Sequence, residues 1–159
     1  MKKKFNTTGS CNPAQHYMVD TSRKLAQIEE YIEEGSYFTI NRARQFGKTT
    51  TLDSLFRLLS DKYFIIKISF EGRGEDDYRE GRLFLGEFQK ILVKRIKTIS
   101  YDLADFWKSP VLSFGDLSKK VYDFCKLVNK PVVLMIDEVD KSQNNQLFLD
   151  LLGMLRNLY

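Results

Sequence analysis

The stretch that decides the fold is YFTINRARQFGKTTTL, residues 37–52 of the 159-residue chain. Its first part, Tyr37 to Asn41, is aromatic and β-branched, which predicts a short buried strand. Its later part, Gly47-Lys48-Thr49, matches the end of the pattern G-x-x-x-x-G-K-[ST], in which a glycine-rich loop joins a strand to a helix. The first glycine of that pattern would stand where this sequence has Arg42. The stretch therefore predicts a strand-loop-helix unit with an altered phosphate-binding loop.

The end of this loop carries the groups that phosphate binding needs. Gly47 has no side chain to block a close approach, Lys48 can reach the β- and γ-phosphate oxygens, and the Thr49 hydroxyl can ligate Mg²⁺. The first glycine of the pattern mainly permits the turn of the loop, and other residues can sometimes adopt the same turn. Arg44 can face the phosphates or simply lie in solvent. The other candidate nucleotide contacts of the loop are Gln45, Phe46 and Thr50.

A second motif, VVLMIDE, stands at residues 132–138. Its first five residues are continuously apolar, as expected of a strand that is covered on both faces. Open α/β sheets bind ligands at the carboxyl ends of their strands, which is where Asp137 and Glu138 would lie. Asp137 can hold the Mg²⁺ shell there, and Glu138 can orient and deprotonate an attacking water. A solvated acidic turn after a core strand is the alternative for this pair taken alone.

The two motifs together predict a site for ATP and Mg²⁺. Either motif alone is common, whereas a GKT after one apolar strand and a DE after another, in this order, is hard to obtain by chance. Lys48 and Glu138 are the predicted catalytic residues. Thr49 and Asp137 are the predicted metal ligands, and both offer the oxygen atoms that Mg²⁺ prefers.

Helical and strand patterns alternate along the rest of the chain. Helices are predicted within residues 20–35, 48–59, 84–99, 113–128 and 147–159, a further strand at 63–70, and a connection at 101–112. This alternation predicts an α/β fold, in a three-layer α/β/α arrangement around a mainly parallel sheet. Residues 1–35 are expected to form an N-terminal arm and helix, and residues 36–159 the core of the domain.

Composition narrows the class of protein. The formal net charge is +4 and the pI is about 9.0, which phosphate binding explains without nucleic acid. Lys94, Arg95 and Lys97, with the N-terminal lysines, could form a basic surface for nucleic acid, but a solvated helix face is the favoured interpretation. The two cysteines are far apart in sequence, as expected of free thiols in a reducing compartment. With no apolar signal core and no membrane-length apolar run, we expect a cytoplasmic protein.

The two motifs correspond to Walker A and Walker B, and together with HYMVD at residues 16–20 they resemble the predicted AAA-like ATPases of bacteria and archaea. The loops of that family often have arginine and glutamine in place of the glycine-rich part, so the resemblance implies that Arg42 is a family trait. It covers nearly the whole chain. It also implies that His16 and Tyr17, with Met18, line an adenine pocket; packing of the N-terminal arm onto the domain is the equally weighted alternative.

The resemblance further implies a sheet of five strands with a polar sensor residue, whereas this sequence predicts three strands before Tyr159. We therefore expect the N-terminal part of an ATPase domain, without the sensor strand, arginine finger and lid, and with a leucine-rich face exposed on the last helix. The alternative is a short chain that pairs its strands directly. An attached effector domain or a protein partner is expected, and an oligomer is possible. The predicted function is Mg²⁺-dependent ATP hydrolysis coupled to conformational change. The alternative is a nucleotide-binding switch or scaffold that recruits a protein partner with little hydrolysis.

Overall fold

The computed structural model describes residues 3–5, 12, 14–17, 19–41, 47–72, 80–138 and 145–158. Within these ranges the secondary structure comprises six helices and two strands. In chain order they are α1 (Ser22–Glu33), α2 (Lys48–Leu59), β1 (Phe64–Ser69), α3 (Gly81–Lys97), α4 (Tyr101–Asp105), α5 (Phe114–Leu127), β2 (Val132–Asp137) and α6 (Asn145–Arg156). The predicted mixed α/β class is confirmed, with a small parallel sheet. The chain divides into two compact units, Met1–Asp61 and Lys62–Tyr159. The boundary after residue 35, between an N-terminal arm with its helix and the core of the domain, stays a prediction.

In the first unit, α1 has the ends that the sequence predicts. The Ser22 N–H donates to Asp20 Oδ1 at 2.9 Å, just before the first turn. The helix ends before Gly35, whose φ of 68° lies in the left-handed region that glycine adopts without steric cost. Helix α1 packs against α2.

The strand predicted at Tyr37–Asn41 is wrong. Residues 36–41 form neither a helix nor a strand. Tyr37 is 53% exposed and Phe38 is 39% exposed, with the Phe38 ring 5.6 Å from that of Tyr31 in α1. A preference for β structure takes effect only where a neighbouring strand supplies backbone partners and side-chain cover. Residues 19–41 and 47–61 of this unit contain no strand that could do so.

The second unit is built on β1 and β2, which pair in parallel and confirm both predicted strands. Their register runs from Phe64 opposite Val132 to Ser69 opposite Asp137. Parallel neighbours need a long crossover, and α3, α4 and α5 form it. Most of β2 is only half-buried, so the predicted cover on both faces is incomplete.

The core of the second unit is rich in aromatic rings. Phe70, just after β1, contacts Phe84 and Phe88 of α3 and Phe148 of α6, with ring centroids 6.0–6.4 Å apart. Leu151 of α6 is fully buried in the same cluster. The α6 residues Leu147, Leu152, Met154 and Leu155 pack against it and are partly buried. The expectation of an exposed leucine-rich face is therefore wrong for these residues, although Leu149 is 57% exposed.

The predicted connection at residues 101–112 contains the short helix α4 and is fixed by a buried side chain from α3. The Nε2 of Gln89 donates to the backbone carbonyls of Trp107 at 2.6 Å and Ser109 at 2.8 Å. Its Oε1 accepts from the Val111 N–H at 2.9 Å. The Nζ of Lys120 also donates to Ser109 Oγ at 2.7 Å. Because buried polar groups must be paired, Gln89 satisfies the Trp107 carbonyl and the Val111 N–H, and it shares the Ser109 carbonyl with the Nζ of Lys120.

Candidate functional site

The predicted phosphate-binding residues lie at the start of α2. Gly47 has φ 77° and ψ 29°, a left-handed conformation, and α2 begins at Lys48 directly after it. The Gly47 carbonyl accepts from both the N–H and the Oγ1 of Thr51, each at 2.9 Å. The glycine is thereby held as the cap of the helix. The GKT motif predicts such a junction, with a glycine directly before the helix. Glycine suits this position because a residue with a Cβ would be strained at such a φ.

This junction presents the positive end of a helix. The first N–H groups of an α-helix have no partner within the helix, and the helix dipole adds partial positive charge beside them. Helix α2 has 12 residues and no acidic side chain in its first turn. Lys48 and Thr50 are half-buried, and Thr49 is exposed. The candidate contacts Arg44, Gln45 and Phe46, together with Arg42, lie outside the described residues.

The acidic motif lies at the carboxyl edge of the two-stranded sheet in the second unit. Asp137 is the last residue of β2, and its carbonyl accepts from the Phe70 N–H at 3.3 Å. Glu138 follows with φ 57°, a left-handed conformation unusual for a residue with a side chain. Its N–H donates to Asp137 Oδ1 at 3.0 Å. Both residues are half-buried.

Ser69 is a residue of this edge that the sequence reading missed. It is the last residue of β1 and the register partner of Asp137. Its Oγ accepts from the Glu71 N–H at 3.1 Å, and Gly72, with φ 77°, continues the turn after the strand. The signal was present in the sequence, because aligning the carboxyl ends of the two apolar strands places a hydroxyl residue beside Asp137.

The residues predicted for the adenine pocket lie in the N-terminal arm. The backbone of Lys4 pairs with residues 15 and 17, and this bridge sets the Tyr17 ring 5.0 Å from the Phe5 ring. His16 Nδ1 accepts from the Asn12 N–H at 2.9 Å, so a neutral His16 carries its proton on Nε2. Tyr17 is about half exposed, and Met18 lies outside the described residues. Both roles proposed for this segment stay predictions.

The structure groups the described site residues in three places: the arm, the start of α2 and the end of β2. The arm and α2 belong to the first unit, and the acidic pair belongs to the second. Among the described residues, no group of three or more His, Cys, Asp and Glu side chains could hold a metal ion. The two predicted Mg²⁺ ligands are a hydroxyl and a carboxylate, the hard oxygen donors that suit this ion, which usually keeps several waters as well.

The basic residues considered for nucleic acid have a structural explanation. Lys94, Arg95 and Lys97 occupy the last turn of α3, where positive charge complements the helix dipole. Arg95 Nη1 also donates to Thr98 Oγ1 at 3.2 Å. Among the described residues, none of the helices has the length and apolar character needed to cross a membrane.

Comparison with known proteins identifies the family of the chain. The chain matches the AAA-like domain family over residues 8–159, a range that contains both motifs and the arm segment. Searches of curated proteins and of solved structures return no significant match. The family match supports a nucleotide-binding, ATPase-like module. On this match, which covers nearly its entire length, the chain belongs to the AAA-like domain family.

Proposed function

We propose that the chain is the core of an AAA-like ATPase, which binds ATP with Mg²⁺ and hydrolyses it to drive a conformational change in an attached domain or a protein partner. The observation that carries this proposal is the junction at Gly47 and Lys48. There a left-handed glycine leads directly into a helix whose first turn has no acidic side chain. The finer fold proposed with it is the three-layer α/β/α arrangement of P-loop NTPases.

The helix start supplies the binding half of the proposed site. Backbone N–H groups and the helix dipole favour an anion at this position, as they do at phosphate sites generally. Lys48 adds a full positive charge for the β- and γ-phosphates, and Thr49 adds a hydroxyl oxygen. The absence of a Cβ at Gly47 lets the phosphate chain approach the backbone closely.

The end of β2 supplies the proposed hydrolytic half. In phosphoryl transfer the protein mainly positions the reactants and neutralises charge. Glu138 orients a water and takes its proton as the water oxygen attacks the γ-phosphorus, and the bond from that phosphorus to the bridging oxygen of ADP breaks. Thr49 would offer a hydroxyl oxygen and Asp137 a carboxylate oxygen to Mg²⁺, which would supply charge neutralisation for the phosphates.

A switch or scaffold with little hydrolysis is the second candidate. Arg42, in place of the first glycine of the loop, favours it, because a departure in this loop can alter catalysis while phosphate binding is kept. Turnover separates the two candidates. The ATPase releases phosphate in multiple turnovers, whereas the switch binds ATP and releases it intact.

Lys48→Ala tests the proposal through equilibrium binding of ATP in the presence of Mg²⁺. We expect the affinity to fall about 10- to 100-fold, which corresponds to the roughly 1.5–3 kcal/mol of a hydrogen bond to a charged group. Lys97→Ala is the matched control, because Lys97 is an exposed lysine in the last turn of α3. Its affinity should equal that of the unmodified protein. An unchanged affinity in Lys48→Ala would overturn the proposal.

A further inference from the structure

Thr51 is a buried polar residue near the start of α2, and neither motif gives it a role. It is 5% exposed. Its hydroxyl donates to the Gly47 carbonyl at 2.9 Å, beside the ordinary helical hydrogen bond from the Thr51 N–H, also at 2.9 Å. A carbonyl oxygen has two lone pairs, so these two bonds use the full acceptor capacity of Gly47.

The Gly47 carbonyl belongs to the same peptide unit as the Lys48 N–H. A trans peptide unit is planar, and its carbonyl and N–H point in opposite directions. The described part of the chain contains no cis peptide bond. Because the Gly47 carbonyl points along α2 toward Thr51, the Lys48 N–H points out of the start of the helix. The two hydrogen bonds from Thr51 therefore orient this N–H together with the carbonyl.

The residue before the helix leaves the first N–H groups to other partners. Ser, Thr, Asp or Asn at that position usually accepts an N–H of the first turn through a side-chain oxygen. Gly47 has no side chain and forms no such bond. In the proposed function, backbone N–H groups at this place bind the phosphates of ATP, and the Lys48 N–H belongs to the peptide unit that Thr51 holds.

The Thr51 hydroxyl also polarises this peptide unit. A hydrogen bond to the carbonyl oxygen draws electron density from the amide nitrogen, so the N–H at the other end becomes a stronger donor. Such strengthening amounts to about 10–30% for each bond of a hydrogen-bonded chain. Since Thr51 is buried, water competes little for its hydroxyl.

We propose that Thr51 is a positioning residue of the nucleotide site: its hydroxyl orients and polarises the Gly47–Lys48 peptide unit, so that the Lys48 N–H donates to a phosphate oxygen of ATP. This role rests on the proposed function, because it needs a phosphate at the start of α2. Thr51 acts through the peptide unit and need not touch the ligand.

The first test measures equilibrium binding of ATP with Mg²⁺. Thr51→Val keeps the shape of the side chain and removes the hydroxyl, so we expect the affinity to fall about 3- to 10-fold. Thr51→Ser keeps the hydroxyl and should bind within about twofold of the unmodified protein. If Thr51→Val does not fold, Thr51→Ala takes its place, because it also lacks the hydroxyl. An unchanged affinity in the folded variant would overturn the role of Thr51.

Ser54→Ala is the matched control for helix stability. The Ser54 hydroxyl donates to the Thr50 carbonyl at 2.9 Å, which is the same kind of bond in the same helix. The N–H of that peptide unit is the Thr51 N–H, which donates to Gly47 inside the helix and so is not presented to a ligand. We therefore expect Ser54→Ala to bind ATP within about twofold of the unmodified protein. A loss as large as that of Thr51→Val would show that only helix stability matters and would overturn the positioning role.

The second test follows the Lys48 amide proton by NMR during titration with ATP and Mg²⁺. A new hydrogen bond to phosphate should move this resonance downfield, and the movement at saturation should be smaller in Thr51→Val but complete in Thr51→Ser and Ser54→Ala. A complete movement in Thr51→Val would contradict the role. If the unmodified protein does not bind ATP, the proposed function fails and the role of Thr51 fails with it; if it binds and Thr51→Val binds equally well, only the role of Thr51 fails.

Discussion

Two junctions of this protein contain a residue with a left-handed backbone conformation, and they differ in the steric strain that this conformation causes. At the start of α2 the residue is Gly47, which has no Cβ and adopts a φ of 77° without strain. At the end of β2 it is Glu138, which adopts a φ of 57° against the preference of its side chain. At the first junction the backbone itself is what a phosphate would contact. At the second the proposed base is a side chain, which glycine could not supply.

The largest expected effect concerns the side chain of the strained junction. Glu138→Gln keeps the same backbone preference and removes the base, so kcat should fall about 10²- to 10⁴-fold while the free energy of unfolding changes by less than about 0.5 kcal/mol. Steady-state phosphate release and thermal unfolding measure the two quantities. Glu80→Gln, an exposed glutamate before α3 whose side chain caps no helix N–H, should leave both unchanged. Full turnover in Glu138→Gln would remove Glu138 from the mechanism.

The next effect concerns the stability of the second unit, which contains Glu138. Strain at a residue such as Glu138 persists only where the surrounding structure is rigid, and Gln89 contributes to that rigidity in the second unit. Gln89→Leu removes the partner of the Trp107 carbonyl and of the Val111 N–H, while the Ser109 carbonyl keeps its hydrogen bond from Lys120 Nζ, so unfolding should become easier by roughly 2–3 kcal/mol. Chemical denaturation measures this. Gln146→Leu, at an exposed glutamine of α6, should change the stability by less than about 0.5 kcal/mol. A similar small change in Gln89→Leu would contradict the role of the buried network.

The smallest effect concerns the unstrained junction. Gly47→Ala adds a Cβ that meets no other atom within 4 Å but is strained by the left-handed backbone, so we expect a loss of about 1 kcal/mol. Gly153→Ala is a control for which the opposite change in stability is expected. This exposed glycine lies inside α6, also has no atom within 4 Å of an added Cβ, and should gain about 0.5–1 kcal/mol. If thermal unfolding showed that both variants are stabilised, or that both are destabilised, the conformational difference between Gly47 and Gly153 would be contradicted.

The elements with strong local signals were predicted well. The start of α2 at Lys48 follows from the GKT motif, the strand at 64–69 from an apolar segment interrupted only by Lys67 before Ser69, and the strand at 132–137 from a continuous apolar run. The cap at Ser113 is confirmed, because its Oγ accepts from the Asp116 N–H at 3.1 Å. Each of these signals depends on residues within a few positions of one another, where sequence spacing and spatial distance agree.

The predictions that failed depended on distant partners. Tyr37–Asn41 has the composition of a strand but forms none, because a strand exists only with a neighbour. The connection at residues 101–112 contains α4 and is tied down by Gln89, a polar residue of a distant helix whose burial no local pattern indicates. The leucines of α6 were expected to be exposed, but most of them are partly or fully buried against the second unit's aromatic cluster.

The sequence by itself determined which residues are the candidates for the proposed chemistry: Gly47, Lys48 and Thr49 in one motif, and Asp137 and Glu138 in the other. Their identities and order follow from the covalent chain, and so does the family to which it belongs. Only the tertiary structure decided that Glu138 is left-handed. It also decided the pairing of β2 with β1, which places Asp137 at the sheet edge, where its carbonyl accepts a hydrogen bond from Phe70, a residue far away in the chain.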